Sequence, residues 1–366
     1  MATSSEHPTP PDQIAHKGRA ALSNRDSRFS RLHREADPDP TDEPQPQPGS
    51  APRTQVRIEF VRSILSTNRS PDLPFDRSIN PYRGCEHGCI YCYARPSHAY
   101  LGLSPGLDFE TKLTVKTNAA QALIRELSQP GYRPAFIALG ANTDPYQPIE
   151  RNFQVTRSVL QVLSDCHHPV AVTTKSALVV RDIDLLASMA ARNLVQVLVS
   201  IATLDGELAR ALEPRANAPG RRLDAVGRLA RAGIPVGVLV APIIPALTDE
   251  SIERVLQAAS EAGACTAGYT MLRLPLEVRD LFVEWLRTHY PQRADRVMSL
   301  VRQMRDGRDN DPAFGSRMRG SGPYAELISQ RFKLARRRFG LDQPRPALDS
   351  SRFQPPQTAS AQMSLL

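Results

Sequence analysis

Short apolar runs alternate with helical stretches through the middle of the chain. Five short apolar runs have the length of buried strands, at residues 136–139, 170–173, 195–201, 235–240 and 268–272, and valines in the middle three supply β-branched bulk. Around them, apolar residues recur at helical spacing in residues 119–127, 153–163, 182–191, 222–231 and 250–261. The pattern therefore predicts an α/β protein in which strands and helices follow one another in turn.

Strands that are apolar on both faces and separated by helices are typical of parallel βαβ units. A weaker strand near residues 78–82 brings the count to about six units. The usual closed barrel of this kind has eight units. We therefore expect a partial or open barrel, and we place it in residues 56–280.

The flanking segments differ from this centre. Residues 1–55 are rich in proline and polar residues and predict a disordered arm, although residues 17–29 mix basic and apolar side chains and are suited to docking on the folded body. Residues 281–340 are helical and basic and end in the sequence RFKLARRRF, which predicts a helical C-terminal extension. Residues 341–366 predict a second disordered tail.

Composition limits the environment and the partners. The 366 residues include 46 Lys and Arg against 38 Asp and Glu, a mild surplus that leaves open either a solvated basic surface or a phosphate-binding face. Five cysteines are too few and too unevenly placed for a disulfide framework, so we expect a reducing compartment. No secretory signal is visible, and the longest apolar stretch, 234–247, is too short to span a bilayer. These features predict a cytoplasmic protein without a membrane segment.

Three of the cysteines lie within eight residues, at Cys85, Cys89 and Cys92. The spacing C-x3-C-x2-C lets three thiolates hold three irons of a cubane cluster and leaves the fourth iron open. Gly84 and Gly88 allow the loop to turn tightly. Two alternatives remain at this point. A zinc site would usually need a fourth ligand, for which His87 is poorly placed, and three unrelated buried thiols would be unusual in a polar loop.

The motif C-x3-C-x-aromatic-C, with Tyr91 as the aromatic residue, resembles the signature of radical S-adenosylmethionine (SAM) enzymes. The run GCEHGCIYCYARP is similar to the branch that includes spore photoproduct lyase and its bacterial relatives. The resemblance extends over residues 57–341 through the segments LGANTDPYQPIER, TTKSALVVRDIDLL, SIATLD, LEPRA and GVLVAPIIPALTD. It implies a partial (β/α)6 barrel, a 4Fe–4S cluster held by Cys85, Cys89 and Cys92, and SAM that is cleaved to methionine and a 5′-deoxyadenosyl radical. It also implies an electron donor such as flavodoxin or ferredoxin.

Several polar residues at predicted strand ends are candidates for binding the cofactor. Thr143 and Asp144 follow one strand, Lys175 ends the next, and Ser200 ends the third. A carboxylate suits the ammonium group of SAM and a lysine suits its carboxylate. By itself Asp144 is equally suited to capping the following helix, and Ser200 to bonding with the backbone. The resemblance implies the cofactor roles, since the lyase branch places an Asp, a Lys and a Ser at matching strand ends.

Other candidates have weaker support. Tyr91 is expected beside the cofactor, while Tyr91 and Tyr93 are equally suited to filling the core. Glu213 and Arg215 resemble a charged pair of the same branch and are candidate catalytic residues, with a structural salt bridge as the alternative.

One position departs from the lyases. They carry a hydrogen-donating cysteine two residues before the strand-end Asp, where this chain has Asn142, and neither Cys166 nor Cys265 stands at the matching place. Repair of the spore photoproduct by the same route is therefore not expected.

Two functions of different classes follow from these features. The first is a radical SAM enzyme, with nucleic acid as one candidate substrate. The second is a nucleic-acid- or partner-binding protein whose cluster has no radical chemistry. Nucleic-acid binding would use a basic set on the last helix, with help from the N-terminal arm, formed by Arg331, Lys333, Arg336, Arg337 and Arg338 together with Lys17 and Arg19. The sequence does not identify the substrate.

Overall fold

The computed structural model describes residues 16–29, 52–344 and 346–356. Its main feature is a seven-stranded sheet in the order β10-β9-β8-β7-β6-β3-β2. The strands are β2 (Leu65–Thr67), β3 (Arg77–Ile79), β6 (Ile137–Leu139), β7 (Val170–Thr174), β8 (Val195–Ser200), β9 (Val236–Ile243) and β10 (Thr266–Met271).

Six of these strands are parallel and only the edge strand β2 is antiparallel to its neighbour. The six parallel strands match the six predicted units, and β3 is the weak strand expected near residues 78–82. No ladder joins β10 to β2 among the described residues, so the sheet forms an open barrel. The predicted fold class is confirmed.

Helices connect the strands and cover the sheet. For example, α2 buries Ala119, Ala122, Leu123 and Leu127, and Ala120 and Ile124 beside them are half-buried. The described helices are α1 (Leu107–Thr111), α2 (Ala119–Leu127), α3 (Glu150–Phe153), α4 (Val155–Asp165), α5 (Ile183–Ala190), α6 (Gly206–Leu212), α7 (Pro219–Arg231), α8 (Ile252–Glu261), α9 (Val278–His289), α10 (Pro291–Gln303) and α11 (Gly322–Arg338).

A second, smaller sheet lies beside the barrel and was not predicted. It consists of β1 (Gln55–Glu59), β4 (Tyr82–Arg83) and β5 (Lys112–Lys116), with β5 in the middle. The cysteine loop follows β4 and leads into a 3-10 helix at Arg95–Leu101. Residues 80–84, which include β4, separate the loop from β3 of the barrel.

The C-terminal helices pack on two sides of the barrel. Phe282 and Trp285 of α9 are fully buried in an apolar cluster that also contains Ile90 and Leu212. Phe332 of α11 packs on Tyr269 of β10, with ring centroids 4.6 Å apart. The boundary between barrel and extension near residue 280 stays a proposal, since α9 begins at Val278.

Parts of both predicted tails contact the folded body. Residues 16–29 lie against the cysteine loop and α9, as described below. In the C-terminal tail, Gln354 N donates to Cys166 O at 2.9 Å, and the ring of Phe353 lies 5.3 Å from that of His168. These contacts contrast with the disorder predicted for residues 341–366. The rest of the two predicted tails, residues 1–15, 30–51, 345 and 357–366, lies outside the described residues.

Candidate cluster and cofactor site

The cysteine loop consists of successive turns. Gly88 N donates to Cys85 O at 3.2 Å, and Cys92 N donates to Cys89 O at 3.2 Å. Gly84 has φ +73°, and a Cβ there would lie 2.7 Å from Leu113 Cδ2 and 2.9 Å from Phe109 O. Only glycine fits this position. A Cβ would collide with the backbone, and a residue with a side chain would be strained at this positive φ. The loop is therefore held against β5 and α1 by its first turn.

The three thiols share one environment. Cys85 and Cys89 are buried, Cys92 is half-buried, and all three are free. Burial raises the pKa of Cys85 well above its usual value, and the neighbouring Asp144 carboxylate and the other two thiols raise it further. Burial also raises the pKa of Cys89 to about 12, although Lys175 opposes this shift. Three buried thiolates would repel one another, so ionisation of this set calls for a positively charged partner such as iron.

The loop fits a cubane cluster better than a single ion. Among residues 16–29, 52–344 and 346–356, no three His, Cys, Asp or Glu side chains converge as ligands of one metal ion would. A cubane makes a different demand, because each thiolate binds a different iron. Zinc, which gathers its ligands around one centre, is disfavoured by this spacing.

Asp144 connects the loop to the end of β7. Its carboxylate accepts hydrogen bonds from Thr174 Oγ1 and Lys175 N, both at 2.7 Å, and from Tyr146 N at 2.9 Å. His87 Nδ1 of the loop lies 3.3 Å from Asp144 Oδ2. Burial opposes ionisation, but His87 and these donors hold the pKa of Asp144 at about 2. The carboxylate is thus ionised and already engaged, so a cofactor ammonium would share it with the chain's own donors.

Lys175 places a cation behind the loop. Its Nζ lies 5.9 Å from the ring centroid of Tyr91. Burial lowers the pKa of Lys175, but Cys89 and Glu213 more than reverse this effect, so the net shift is upward. The side chain therefore keeps its charge next to Cys89.

Glu213 belongs to a buried network, but Arg215 is not its partner. Tyr91 Oη donates to Glu213, and the guanidinium of Arg222 forms an ion pair with the same carboxylate. Burial raises the pKa of Glu213, but Arg222, Lys175 and Tyr91 bring it below its usual value. Arg215 pairs with Glu86 of the cysteine loop at 3.1 Å instead. The predicted Glu213–Arg215 pair is therefore wrong, because the segment between α6 and α7 points the two side chains to different neighbours.

Ser200 and Thr143 bond to backbone. Ser200 Oγ donates to Ala241 O at 3.1 Å, and Ser200 O accepts from Arg222 Nη1 at 2.9 Å. Thr143 Oγ1 donates to Tyr82 O at 3.0 Å and is buried. Both residues stand at strand ends as predicted, and their contacts with the cofactor stay predictions.

Tyr93 lies at the mouth of the barrel and is half-exposed. Its hydroxyl donates to Ala141 O, and the guanidinium of Arg273, just beyond β10, lies 5.7 Å from its ring centroid. Asn142, which stands where the lyases carry their cysteine, is exposed next to Ala141. Tyr93 thus connects the loop to two strand ends around the opening.

Sequence reasoning missed three buried charged residues of this site. Arg95 is fully buried and bonds to loop carbonyls, Glu110 is fully buried beneath it, and Arg222 neutralises Glu213. Arg95 lies in the run GCEHGCIYCYARP, so its position next to the motif was the available signal. Nothing in the spacing of Glu110 or Arg222 marks them as buried.

Comparisons with known proteins agree with this geometry. The family model of the radical SAM superfamily matches residues 79–259, which include the loop and the strand ends from β6 to β9. An uncharacterised protein of Mycobacterium tuberculosis is 39% identical over 276 residues, covering 70% of this chain and 81% of the relative. This chain belongs to the radical SAM superfamily. The superfamily uses a 4Fe–4S cluster and SAM, so these are the cofactors of this chain. Enzymes of this superfamily generally need an electron donor.

Two further comparisons reach more distant proteins. An uncharacterised protein of Methanocaldococcus jannaschii is 29% identical over 214 residues, covering 58% of this chain and 76% of the relative. Spore photoproduct lyase, in a structure with bound AdoMet and dinucleoside spore photoproduct, superposes with TM-score 0.53 at 15% identity, covering 78% of this chain and 79% of the lyase. The likeness to the lyase shows a shared fold.

Proposed function

We propose that this chain holds the 4Fe–4S cluster through Cys85, Cys89 and Cys92 and cleaves SAM reductively. One electron breaks the sulfonium bond and gives methionine and a 5′-deoxyadenosyl radical, which takes a hydrogen atom from the substrate and becomes 5′-deoxyadenosine. The observation that carries the proposal is the gathering of three cysteine thiols, two buried and one half-buried, in one tight loop beside Lys175 and Asp144.

The chain's own residues would position the cofactor and exclude water. Lys175 is a charged donor for the methionine carboxylate, and Asp144 is an ionised acceptor for its ammonium group. Tyr91 is buried, with its ring 5.9 Å from Lys175 Nζ and its hydroxyl donating to Glu213. We further propose a reducing, cytoplasmic setting with flavodoxin or ferredoxin as electron donor, because the cysteines are too few and too unevenly placed for a disulfide framework.

The competing function is a cluster-containing binding protein without radical chemistry. A structural cluster usually has four protein ligands, whereas this loop offers three cysteines. The three-ligand arrangement favours catalysis.

Reductive cleavage of SAM separates the two functions. Anaerobically reconstituted protein should hold about four irons per chain and, with a strong reductant, release methionine and 5′-deoxyadenosine. Lys175→Ala should keep the cluster and weaken SAM binding, since Lys175 does not ligate iron. Lys112→Ala, which removes a half-exposed lysine paired with the buried Asp108, is the matched control. A wild-type protein with an intact cluster but no cleavage of SAM would instead support the binding-protein function.

We propose nucleic acid as the substrate class, on the evidence of a basic cleft between β10 and α11. Four cationic side chains line this cleft: Arg319, Lys333, Arg336 and Arg337. Glu326 and Asp342 also line it, which leaves a net positive lining. Within the described residues, Arg319, Lys333 and Arg337 make no ion pair, so phosphate oxygens could take the place of missing carboxylates.

A series of side-chain contacts leads from the cleft to Tyr93 at the barrel mouth. Arg319 lies 3.9 Å from the ring centroid of Tyr269, and its neighbour Met318 accepts a contact from Arg273 Nη1 at 3.6 Å. Arg273 in turn lies over Tyr93 at the opening. A chain of phosphates held in the cleft would therefore be directed toward the cysteine loop.

Two members of the predicted basic set are unsuited to phosphate binding. Arg331 forms a two-point ion pair with Glu253 at 2.8 and 2.9 Å, and Arg19 of the arm is buried. The double variant Lys333→Glu, Arg337→Glu should therefore weaken binding of a fluorescent oligonucleotide and lower the slope of log affinity against log salt by roughly 2. The control is Arg287→Glu, Arg296→Glu, which makes the same charge change at exposed positions elsewhere. No anisotropy change with any DNA or RNA at low salt would remove nucleic acid as the substrate class.

A further inference from the structure

Residues 16–29 of the N-terminal arm wrap a buried carboxylate beneath the cysteine loop. Ala20 N donates to Glu110 Oε2 at 3.2 Å, and Ala21 N donates to Glu110 Oε1 at 3.0 Å. Arg19 Nη1 donates to Glu110 O at 2.8 Å. Glu110 is fully buried, so these donors from the arm replace the water that an ionised carboxylate would otherwise need.

Arg95 connects Glu110 to the cysteine loop. Arg95 Nη2 lies 2.5 Å from Glu110 Oε1, and both side chains are fully buried. The same guanidinium donates to the carbonyl of Gly88 at 3.1 Å and to that of Cys89 at 2.9 Å. The planar, five-donor guanidinium fixes these two carbonyls relative to the carboxylate. The peptide groups on either side of Cys89 are therefore oriented by a pair that the arm completes.

The arm also reaches the loop by a second route. Arg19 Nη2 donates to Thr54 Oγ1 at 3.0 Å, and Thr54 Oγ1 donates to Glu86 Oε1 at 2.7 Å. Glu86 follows Cys85, and its backbone N donates to Gln147 Oε1 at 2.9 Å. Arg19 is thus connected to both halves of the loop, one through Glu110 and the other through Glu86.

The far end of the arm is tied to the C-terminal extension. Ser23 Oγ donates to Glu284 Oε2 of α9 at 2.8 Å, and Arg28 forms an ion pair with Glu277 at 3.0 Å. Ala20 and Ala21 pack in the same apolar cluster as Cys89 and Ile90. The arm therefore joins the loop to α9 by polar contacts at both ends and by apolar packing at the loop.

We propose that residues 16–29 are a positioning element of the cluster centre. Arg19 and the amides of Ala20 and Ala21 orient Glu110, Glu110 holds Arg95, and Arg95 holds the carbonyls that fix the turn at Cys89. This inference rests on the proposed function in one respect, the placement of the cluster at Cys85, Cys89 and Cys92. Groups that orient ligands in this way typically change metal retention by 10- to 100-fold when they are removed.

Iron transfer to a chelator tests the proposal on reconstituted full-length protein. Arg19→Ala and Glu110→Gln should each release iron roughly 10-fold faster than wild type or more, and should change the line shape of the reduced cluster's electron paramagnetic resonance signal. Arg28→Ala is the matched control, because it removes an arginine from the same arm that pairs with Glu277 and lies over the ring of Tyr100, and neither partner belongs to residues 85–92. Its iron release and line shape should match wild type. Arg19→Lys keeps the positive charge but loses the planar guanidinium with its several donors. Its rate of iron release should fall between those of wild type and Arg19→Ala.

The outcomes separate this inference from the proposed function. Wild-type rates of iron release and an unchanged line shape in Arg19→Ala would overturn the positioning role while leaving the cluster assignment in place. If wild-type protein never takes up iron, the cluster assignment fails, and hydrogen exchange still tests the arm. In that apo-protein, faster exchange at the amides of 85–92 in Arg19→Ala than in Arg28→Ala supports the positioning role, and equal exchange overturns it. Glu110→Gln is expected to cost folding stability, so Arg19→Ala decides the result.

Discussion

At the scale of residues, a functional group was predictable when its members lie close together in the sequence. Contacts between residues that are far apart in the sequence were not predictable. Cys85, Cys89 and Cys92 were found from their spacing, because one loop has to present all three thiols to one cluster. The sequence suggested Arg215, two positions away, as the partner of Glu213. The observed partner is Arg222, nine positions away in the first turn of α7. Sequence distance carries little information about buried ion pairs, since tertiary packing chooses among many candidate arginines.

The pair of Arg95 and Glu110 shows the same limit. A fully buried guanidinium is rare because desolvation is costly unless every donor finds an acceptor. Arg95 meets this condition with the carbonyls of Gly88, Cys89, Pro105 and Gly106 in addition to Glu110. All of these acceptors come from one loop and its continuation. The sequence shows the arginine, but the curvature that gathers the carbonyls appears only in the folded chain.

His168 predicts acid sensitivity at a site remote from the cluster. It is fully buried, with Nε2 2.8 Å from Tyr132 Oη, and burial lowers its pKa to about 4. Because the unfolded state binds a proton near pH 6.5 and the folded state does not, stability is lost as the pH falls from about 6.5 toward 4. His168→Gln should reduce the loss of unfolding free energy between pH 7 and pH 5 by about 2 kcal/mol, measured by urea titration.

The neighbouring His167 supplies the control for this prediction. His167 is half-buried, and His167→Gln removes an imidazole from the same turn without removing the buried one. We expect its stability to follow the wild-type pH dependence. An equal pH dependence in wild type and His168→Gln would show that another group is responsible for the acid sensitivity.

At the scale of elements, strands were predicted where both faces are buried. β7, β8 and β9 each carry valines at alternate positions and are mostly buried, and they were found within three residues of their observed ends. β1, with sequence QVRIE, has four exposed residues out of five and gave no such signal. It is held by its parallel pairing with β5 rather than by burial. The small sheet that carries the cysteine loop was missed for this reason.

Helix boundaries were shifted by local backbone chemistry. The helix predicted at residues 222–231 begins at Pro219, since proline is well suited to the first turn, where its missing N–H is not needed. The helix predicted at 153–163 is divided at Gln154, which adopts a left-handed conformation with φ 50°. The break separates α3, whose Glu150 bonds to Tyr82 before the cysteine loop, from α4 on the barrel.

At the scale of the whole molecule, the six parallel strands form an open barrel with a gap between β10 and β2. The sequence predicted an open barrel, but it did not show which residues span the gap. Residues 315–318 contact both edges of the sheet. Met271 N at the end of β10 donates to Met318 O at 2.9 Å. Gly315 N donates to Asp72 Oδ1 at 2.7 Å, in the turn that joins β2 to β3. The segment therefore connects the first and last strands next to Arg273 and Tyr93 at the barrel mouth.

The ion pair of Arg317 and Asp72 should account for much of this connection. Arg317 Nε lies 2.5 Å from Asp72 Oδ2, and the two side chains are only 16% and 10% exposed, so solvent screens the pair weakly. A double-mutant cycle with Arg317→Ala and Asp72→Ala should give a coupling free energy of about 1–3 kcal/mol in urea unfolding. The control cycle uses Arg308 and Asp306, which are 66% and 91% exposed at 3.9 Å and should couple by less than about 0.5 kcal/mol. Equal coupling in the two cycles would mean that the gap is bridged by the backbone contacts of Gly315 and Met318 alone.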